Sequence, residues 1–292
     1  MSCRAPATVS VSLDEFTRHG GLTGPHKDGW GMVYYEGRDI HRLREDRAAS
    51  TSRAVTFVAE QQYRSTCVLG HIRQATFGAV RLENTQPFAR ELGGRMHVFA
   101  HNGDLAGAGD LYRERRGRFR PIGESDSEQA FCVLLAEMES LWAGDEVPSL
   151  EARTAVVVDF ARTIRPMGPA NFLYADGDVM FVHGHKRSQT GPDDIRPPGL
   201  HFLCRTCKAK KAGPRMIQGL AIGFSAPVQE VVLVASVPLS GEAWEPLGEG
   251  EVLVLQRGRV LRRVSGDGAG DAPGAPGVMA QADLSTGGGK RS

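Results

Sequence analysis

Short apolar runs with strand character fall into two blocks, one ahead of residue 101 and one after residue 171, and two helical stretches lie between them. The helical stretches are Ser127–Leu141, with apolar residues at 130, 131, 134, 135, 138 and 141, and Leu150–Ile164, closed by Pro166 and Gly168. Spacings of three and four turn one face of such a segment toward a core. The first block of strands holds Gly31–Glu36, Cys67–Ile72 and Met96–Ala100, and the second holds Phe172–Ala175, Val179–His183, Val231–Val237 and Val252–Leu255. Asp176-Gly177-Asp178 and Arg257-Gly258-Arg259 are turn sequences that fold their flanks into hairpins. Strands gathered in blocks argue against a strand–helix alternation. They fit an α+β fold in which two mainly antiparallel sheets are covered by helices. Val55–Gln62 reads as a further helix, and residues 7–19 as a strand or a short helix, with helix favoured because Phe16 follows Leu13 by three positions.

A chain of 292 residues with 41% hydrophobic content buries a full core. We expect one domain over residues 1–264. Beyond Val264, eight glycines with repeated Ala and Pro predict a disordered tail over 265–292. Lys and Arg total 35 against 34 Asp and Glu, so no net field draws the protein to nucleic acid or to an anionic membrane. The five arginines of Arg113–Arg120 and the lysines of Lys208–Lys211 read as solvated runs. Five scattered cysteines suit a reducing compartment, and with no apolar run long enough to span a bilayer the expected location is the cytoplasm.

Several short strings carry candidate chemistry. Arg73 ends an apolar strand in Gly70-His71-Ile72-Arg73-Gln74-Ala75-Thr76, where its planar guanidinium can take a carboxylate through two parallel hydrogen bonds. Its bland reading is a surface ion pair. Asn102-Gly103 follows a strand in Ala100-His101-Asn102-Gly103 and is first a turn signal. The same pair can donate a side-chain amide and a backbone N–H to a developing oxyanion, with glycine admitting close approach. Asp126 stands before the long helix inside Ser125-x-x-Glu128, which has the form of a capping box and places an acid at the positive helix end.

With Thr23–Gly31, Glu83–Phe88 and the later strand from Glu230 to Pro238, these strings resemble the class II glutamine amidotransferases, in particular a stand-alone bacterial branch. The resemblance implies the four-layer αββα sandwich of N-terminal nucleophile hydrolases. It also implies hydrolysis of glutamine, or of another γ-glutamyl amide, through a cysteine thioester to glutamate and ammonia. By resemblance, Arg73 and Thr76 hold the substrate α-carboxylate, Asp126 the α-ammonium, and Asn102 with Gly103 the oxyanion. No metal or organic cofactor is required. The implied partners are the small γ-glutamyl molecule and a synthase subunit on another chain. A catalytically inactive glutamine-binding regulatory module is the alternative.

The family's nucleophile is a cysteine directly after the initiator methionine, and its own α-amine, titrating near 8, takes the thiol proton. Here the order is Met1-Ser2-Cys3, so Cys3 is out of place and the nucleophile is unassigned. Counting back from Thr23-Gly24-Pro25-His26, the pattern leaves room ahead of Met1 for a segment of the form Met-Cys-x-Leu-Leu-Gly. The favoured expectation is a mis-assigned start. A degenerate protein, or Ser2 or Cys3 as a displaced nucleophile, are the other readings. Without that segment a central strand would be absent and the chain fragile. Cys204-Arg205-Thr206-Cys207 with His201, His183 and His185 invites a zinc reading, but an inert turn is preferred. Cys67 and Cys132 are expected to be buried small hydrophobes.

Overall fold

A computed structural model describes residues 1–11, 27–76, 78–191, 193–208, 215–217, 220–223, 228–266 and 272–273. In chain order the first strands are β1 (Ser2–Val11), β2 (Trp30–Glu36), β3 (Asp39–Glu45), β4 (Arg64–Ile72), β5 (Phe88–Leu92) and β6 (Arg95–Asn102). Helix α1 (Arg53–Gln61) precedes β4, and α2 (Ala108–Arg115), α3 (Asp126–Met138) and α4 (Leu150–Ile164) follow β6. The second block is β7 (Asn171–Ala175), β8 (Met180–His183), β9 (Arg187–Ser188), β10 (Ile195–Arg196), β11 (His201–Lys208), β12 (Arg215–Ile217) and β13 (Leu220–Gly223). It ends with β14 (Val228–Ala235), β15 (Glu245–Pro246), β16 (Val252–Gln256), β17 (Arg259–Val264) and β18 (Ala272–Pro273).

Two sheets result. One runs β15-β11-β14-β1-β4-β2-β3, with β12 and β13 joined to it through β1; the other runs β18-β17-β16-β8-β7-β6-β5. Their strands pair antiparallel throughout. Alternation of side chains explains the layering. In β2, Val33 and Tyr35 point between the sheets while Trp30, Met32 and Tyr34 meet Val55 and Val58 of α1 on the outer face. In β16, Leu253 and Leu255 face the other sheet while Val252 and Val254 meet Phe131, Leu134 and Phe160 of α3 and α4. The order is helix, sheet, sheet, helix.

Most expected elements lie where their patterns placed them, with ends shifted by one to three residues, and Leu150–Ile164 is unshifted. Residues 7–19 differ. As far as Val11 the chain is strand, not helix: Thr8 pairs with Arg64 on β4 and Gly223 on β13, Val9 and Val11 pair with Ile222 and Leu220 on β13, and β-branched residue types favour such pairing. Leu13, Phe16 and the Thr23–His26 part of the first string lie outside the described residues. So does most of the expected tail, although Ala272–Pro273 pairs with β17. Cys204-Arg205-Thr206-Cys207 lies within strand β11 rather than in a turn, paired along its length with β14. Cys132 is fully buried, and Cys67 is half-buried against the inter-sheet core.

Strand β1 occupies the middle of its sheet as far as Met1. There the α-ammonium donates to Val68 C=O at 2.8 Å and the Met1 carbonyl accepts from Val68 N–H at 2.9 Å. Past this point β4 continues to Ile72 and β14 to Ala235. Among the described residues no strand lies between them. Gly70 is exposed although it sits in an interior strand.

Two buried histidines tie the second sheet to its surroundings. His97 lies between Tyr174 Oη (2.7 Å) and Leu92 C=O (3.1 Å), so its neutral ring donates to the carbonyl and accepts from the phenol. Burial, ahead of the bond to Leu92, pushes its pKa down to about 4. Burial likewise pushes His183 down to about 3, with its Nδ1 2.6 Å from Ala170 C=O. Unfolded histidine binds a proton near 6.5, above both folded values, so stability is complete above that pH and falls as pH drops toward 4. Urea denaturation should therefore show a lower midpoint at about pH 5 than at about pH 7.5, and His97→Gln should shrink the difference. Equal midpoints for the parent chain would contradict this account.

Candidate functional site

Arg73 leaves the end of β4 and is buried at 5% exposure. Its backbone N–H bonds Gly29 C=O at 2.8 Å and its C=O accepts from Asp28 N–H at 3.1 Å, which extends the pairing of β4 with the lead into β2. The guanidinium donates to Gly78 C=O (3.1 Å) and Ala79 C=O (3.2 Å), which fixes the plane of the fork. Burial lowers its pKa, opposed by the charges of Asp28 and Asp126. Asp28 also accepts from Ala75 N–H at 2.9 Å, so one carboxylate both shapes the 73–76 turn and faces the cation.

Thr76 is exposed on that turn, and its hydroxyl bonds the Asp104 carboxylate. Asp104 belongs to the loop after β6, so this bond closes the turn onto the Asn102-Gly103 segment. Asp126 opens α3 and reaches the same loop, where its Oδ2 accepts from Leu105 N–H at 2.7 Å. Its Oδ1 accepts from Ser127 N–H at 2.7 Å. Arg73, Thr76, Asn102, Gly103 and Asp126 thus converge at one end of the sandwich.

Asn102 ends β6 exposed, and its side-chain amide donates to Ser236 Oγ at 2.9 Å, just past β14. Its carbonyl accepts from the amide of the buried Asn171 at 3.1 Å. Gly103 has φ +138°, and a Cβ there would stand 1.9 Å from Pro169 C=O. Only glycine lets the chain turn at this point. Behind it, Gln86 acts as a short strand: its Oε1 accepts from His101 N–H (2.6 Å) and its Nε2 donates to His101 C=O (3.1 Å). This gives the Glu83–Phe88 string a concrete task. His101 itself sits between Ser127 Oγ (2.9 Å) and Pro169 C=O (3.2 Å), and burial lowers its pKa.

The capping-box pattern is not realised as such. Ser125 makes no side-chain cap, and Glu128 reaches back beyond it to Ile122 N–H (3.1 Å), Gly123 N–H (2.8 Å) and Arg90 Nη2 (2.5 Å). Asn84 supplies the missing acceptor, taking Glu124 N–H at 2.8 Å and Ser125 N–H at 3.2 Å. The buried ion pair with Arg90 outcompetes the local cap because Glu128 is 1% exposed and needs a cation.

Neither Ser2 nor Cys3 reaches this site. Cys3 faces the outer core and donates to Ser65 C=O at 3.3 Å, and burial pushes its thiol up to about 11. The Ser2 hydroxyl accepts from Gly258 N–H at 3.0 Å. Both flank the stretch of β4 near Cys67, on the order of 20 Å along the strand from Arg73. Among the described residues no group of three or more His, Cys, Asp or Glu side chains is arranged to hold a metal ion. None of their helices is long and apolar enough to cross a membrane.

Sequence reading gave no role to Asp28, Gln86, Asp104, Asn171 or Ser236. Asp28, Gln86 and Ser236 lie inside the Thr23–Gly31, Glu83–Phe88 and Glu230–Pro238 strings and Asp104 beside Asn102-Gly103, so adjacency is their signal. Asn171 carries none, since its contact arises from a strand end 69 residues away from Asn102.

Two sheets in a helix-flanked sandwich, with arginine, asparagine–glycine and aspartate gathered at one end, define an N-terminal-nucleophile type of fold. The family described as "Glutamine amidotransferases class-II" matches residues 1–274, and the chain belongs to it. It is 34% identical over 256 residues to "Putative glutamine amidotransferase YafJ" of Escherichia coli (strain K12), covering 86% of this chain and 93% of that protein. It is 30% identical over 270 residues to a "Putative glutamine amidotransferase" of Haemophilus influenzae, covering 91% and 86%. Both relatives are stand-alone bacterial proteins. Among solved structures, a "predicted glutamine amidotransferase from Pseudomonas aeruginosa PA01" superposes with TM-score 0.63 at 31% identity, covering 89% of this chain and 97% of that one. The glutamine phosphoribosylpyrophosphate amidotransferase of B. subtilis shares the fold alone, at 15% identity and TM-score 0.51.

A side chain at position 103 meets both an unfavourable φ and a carbonyl, whereas position 94 has φ +71° with nothing within 4 Å. Gly94→Ala should cost about 1 kcal/mol from conformation alone, and Gly103→Ala at least about 2 kcal/mol. Urea denaturation of the two variants checks the order, and equal losses would refute the role assigned to Pro169.

Proposed function

We propose that this fold hydrolyses glutamine, or a γ-glutamyl amide, at the end of the sandwich where Arg73, Asn102 and Asp126 converge. Arg73 takes the α-carboxylate with the Thr76 hydroxyl beside it, and Asp126 takes the α-ammonium, with Asp104 as a second nearby acid. Asn102 and Gly103 N–H receive the oxyanion. The observation that carries the reading is the register of β4 beyond Met1, where no described residue pairs between β4 and β14. Met1 lies opposite Val68, so a residue five positions ahead of Met1, in the same pairing, lies opposite Arg73. In a leading segment Met-Cys-x-Leu-Leu-Gly that residue is the cysteine, and methionine removal frees its α-amine. Ser236, the partner of Asn102, lies just past β14 on the other side.

The chemistry then follows. The α-amine accepts the thiol proton as sulfur attacks the γ-carbonyl, the tetrahedral oxyanion forms against Asn102 and Gly103, and the proton passes to nitrogen as the C–N bond breaks. Water cleaves the thioester to release glutamate. The ammonia either passes to a synthase subunit on another chain or, with a substituted amide, an amine is released directly. A second reading, a non-catalytic module that binds γ-glutamyl compounds, is favoured for the 292-residue form by the distance of Ser2 and Cys3 from the site.

The 292-residue chain should release no glutamate from glutamine, and the same chain preceded by Met-Cys-x-Leu-Leu-Gly should do so. Inactivity of the extended chain toward glutamine and γ-glutamyl amides alike would end the catalytic reading. In an active extended form, Arg73→Lys should raise KM by about tenfold or more with kcat within about threefold, since a point charge loses the fork but not the field. A fall in kcat at constant KM would contradict the carboxylate role.

A further inference from the structure

The side of Asn102 away from Arg73 carries a second guanidinium, that of Arg187, while the nearby acids Glu249 and Asp194 pair with His185 and Arg196. Asn171, 1% exposed, bonds both Asn102 C=O (3.1 Å) and Lys186 C=O (2.8 Å), and its Oδ1 accepts from His185 N–H (2.8 Å). This single side chain clamps the start of the β9–β10 hairpin against the oxyanion asparagine. Gln189 stiffens the hairpin by donating to Arg196 C=O (2.8 Å) and Pro198 C=O (3.0 Å). Arg187, the first hairpin residue, is half-buried and loses part of its basicity to burial. It makes no ion pair with a carboxylate among the described residues; Nη1 donates to Ser188 C=O at 3.1 Å and Nε is buried without a partner. His201, opposite Ala235 at the end of β14, feels the Arg187 charge and has its Nδ1 buried without a partner. Ser236 stands between, bonded to Asn102. A half-buried guanidinium with no carboxylate partner among the described residues and a buried, unpartnered Nε–H is a costly arrangement that an anion relieves.

We propose that Arg187, with His201 beside it, receives a carboxylate carried on the amide nitrogen, so that a γ-glutamyl amino acid is preferred to glutamine as substrate. This rests on the reading of Arg73, Asp126 and Asn102 given above. With the γ-glutamyl carbonyl at Asn102 and its α-groups toward Arg73 and Asp126, the nitrogen substituent projects toward Ser236 and the hairpin. An unsubstituted amide leaves that space to water. Hydrolysis breaks the γ-carbonyl to nitrogen bond; water supplies the hydroxyl of glutamate and the proton that completes the released amino acid's amine.

Calorimetric titration of the 292-residue protein with γ-glutamylglycine, γ-glutamylmethylamide and glutamine separates the cases without needing turnover. γ-Glutamylglycine should bind at least about tenfold more tightly than the neutral methylamide, the scale of one charge-assisted pair. Arg187→Gln should erase that margin while leaving glutamine affinity within about twofold, and Arg187→Lys should keep most of it. If all three ligands bind alike, or if the margin survives Arg187→Gln, the proposed subsite is wrong while the γ-glutamyl site stands. If none binds, both readings fall.

Discussion

Backbone pairing along β4 sets the geometry of everything at the candidate site. The strand is held by β2 on one edge from Val68 to Ile72 and by β1 on the other only as far as Met1. Because the β2 edge is complete through Gly29, the Arg73 backbone is fixed to within the tolerance of a sheet, and its guanidinium is aimed by the Gly78 and Ala79 carbonyls. A desolvated cation held this way cannot relax toward solvent. It creates a standing demand for negative charge that Asp28 and Asp126 meet in part. The incomplete edge works in the opposite sense, leaving Gly70 exposed in the interior of a sheet. A stretch of β4 with no described partner on one edge and a buried arginine at its far end are two consequences of one register.

The elements visible in the sequence are those whose burial has a simple period. Helix α4 is legible because one face alone meets a sheet, as are β2 and β16, whose two faces meet different layers that both demand apolar residues. Residues 7–11 are strand because long-range pairing with β4 and β13 sets them, a cause that no local spacing displays, while Leu13 and Phe16 lie outside the described residues. β11 was misread for a related reason. The eye went to its cysteines, while its strand character resides in eight successive partners on β14. β3 and α2 escaped notice because their surfaces are mainly polar, so neither shows a clear apolar stripe.

The site divides along the same line. Arg73, Thr76, Asn102, Gly103 and Asp126 were legible because each sits in a short string whose neighbours punctuate the end of a strand or the start of a helix. Their supports were not. Asn171 matters through three backbone groups drawn from two distant segments, and nothing local to position 171 announces that. The Ser125-x-x-Glu128 pattern shows the converse failure. A familiar local signature is present, yet a half-buried Arg90 draws Glu128 away and Asn84 takes the Ser125 N–H in its place.

Charge is distributed unevenly across the candidate site. Toward Arg73 the cation is surrounded by Asp28, Asp126 and, through Thr76, Asp104, so this end offers both signs within a few side chains. Such a mixture suits a group that is itself zwitterionic, because either charge placed alone would meet repulsion. Toward the β9–β10 hairpin the described residues around Arg187 include no carboxylate paired with it, and His201, whose pKa is lowered by burial and by that same guanidinium, brings no compensating negative charge. Across Asn102 the charge thus passes from a mixed cluster to a guanidinium with no ion pair among the described residues. Under the proposed reading a zwitterionic α-carbon meets the first, a neutral carboxamide lies at Asn102 and an anion meets the second. The gradient follows from the positions of ordinary side chains on strand ends, and it distinguishes the two directions along any ligand that spans the asparagine.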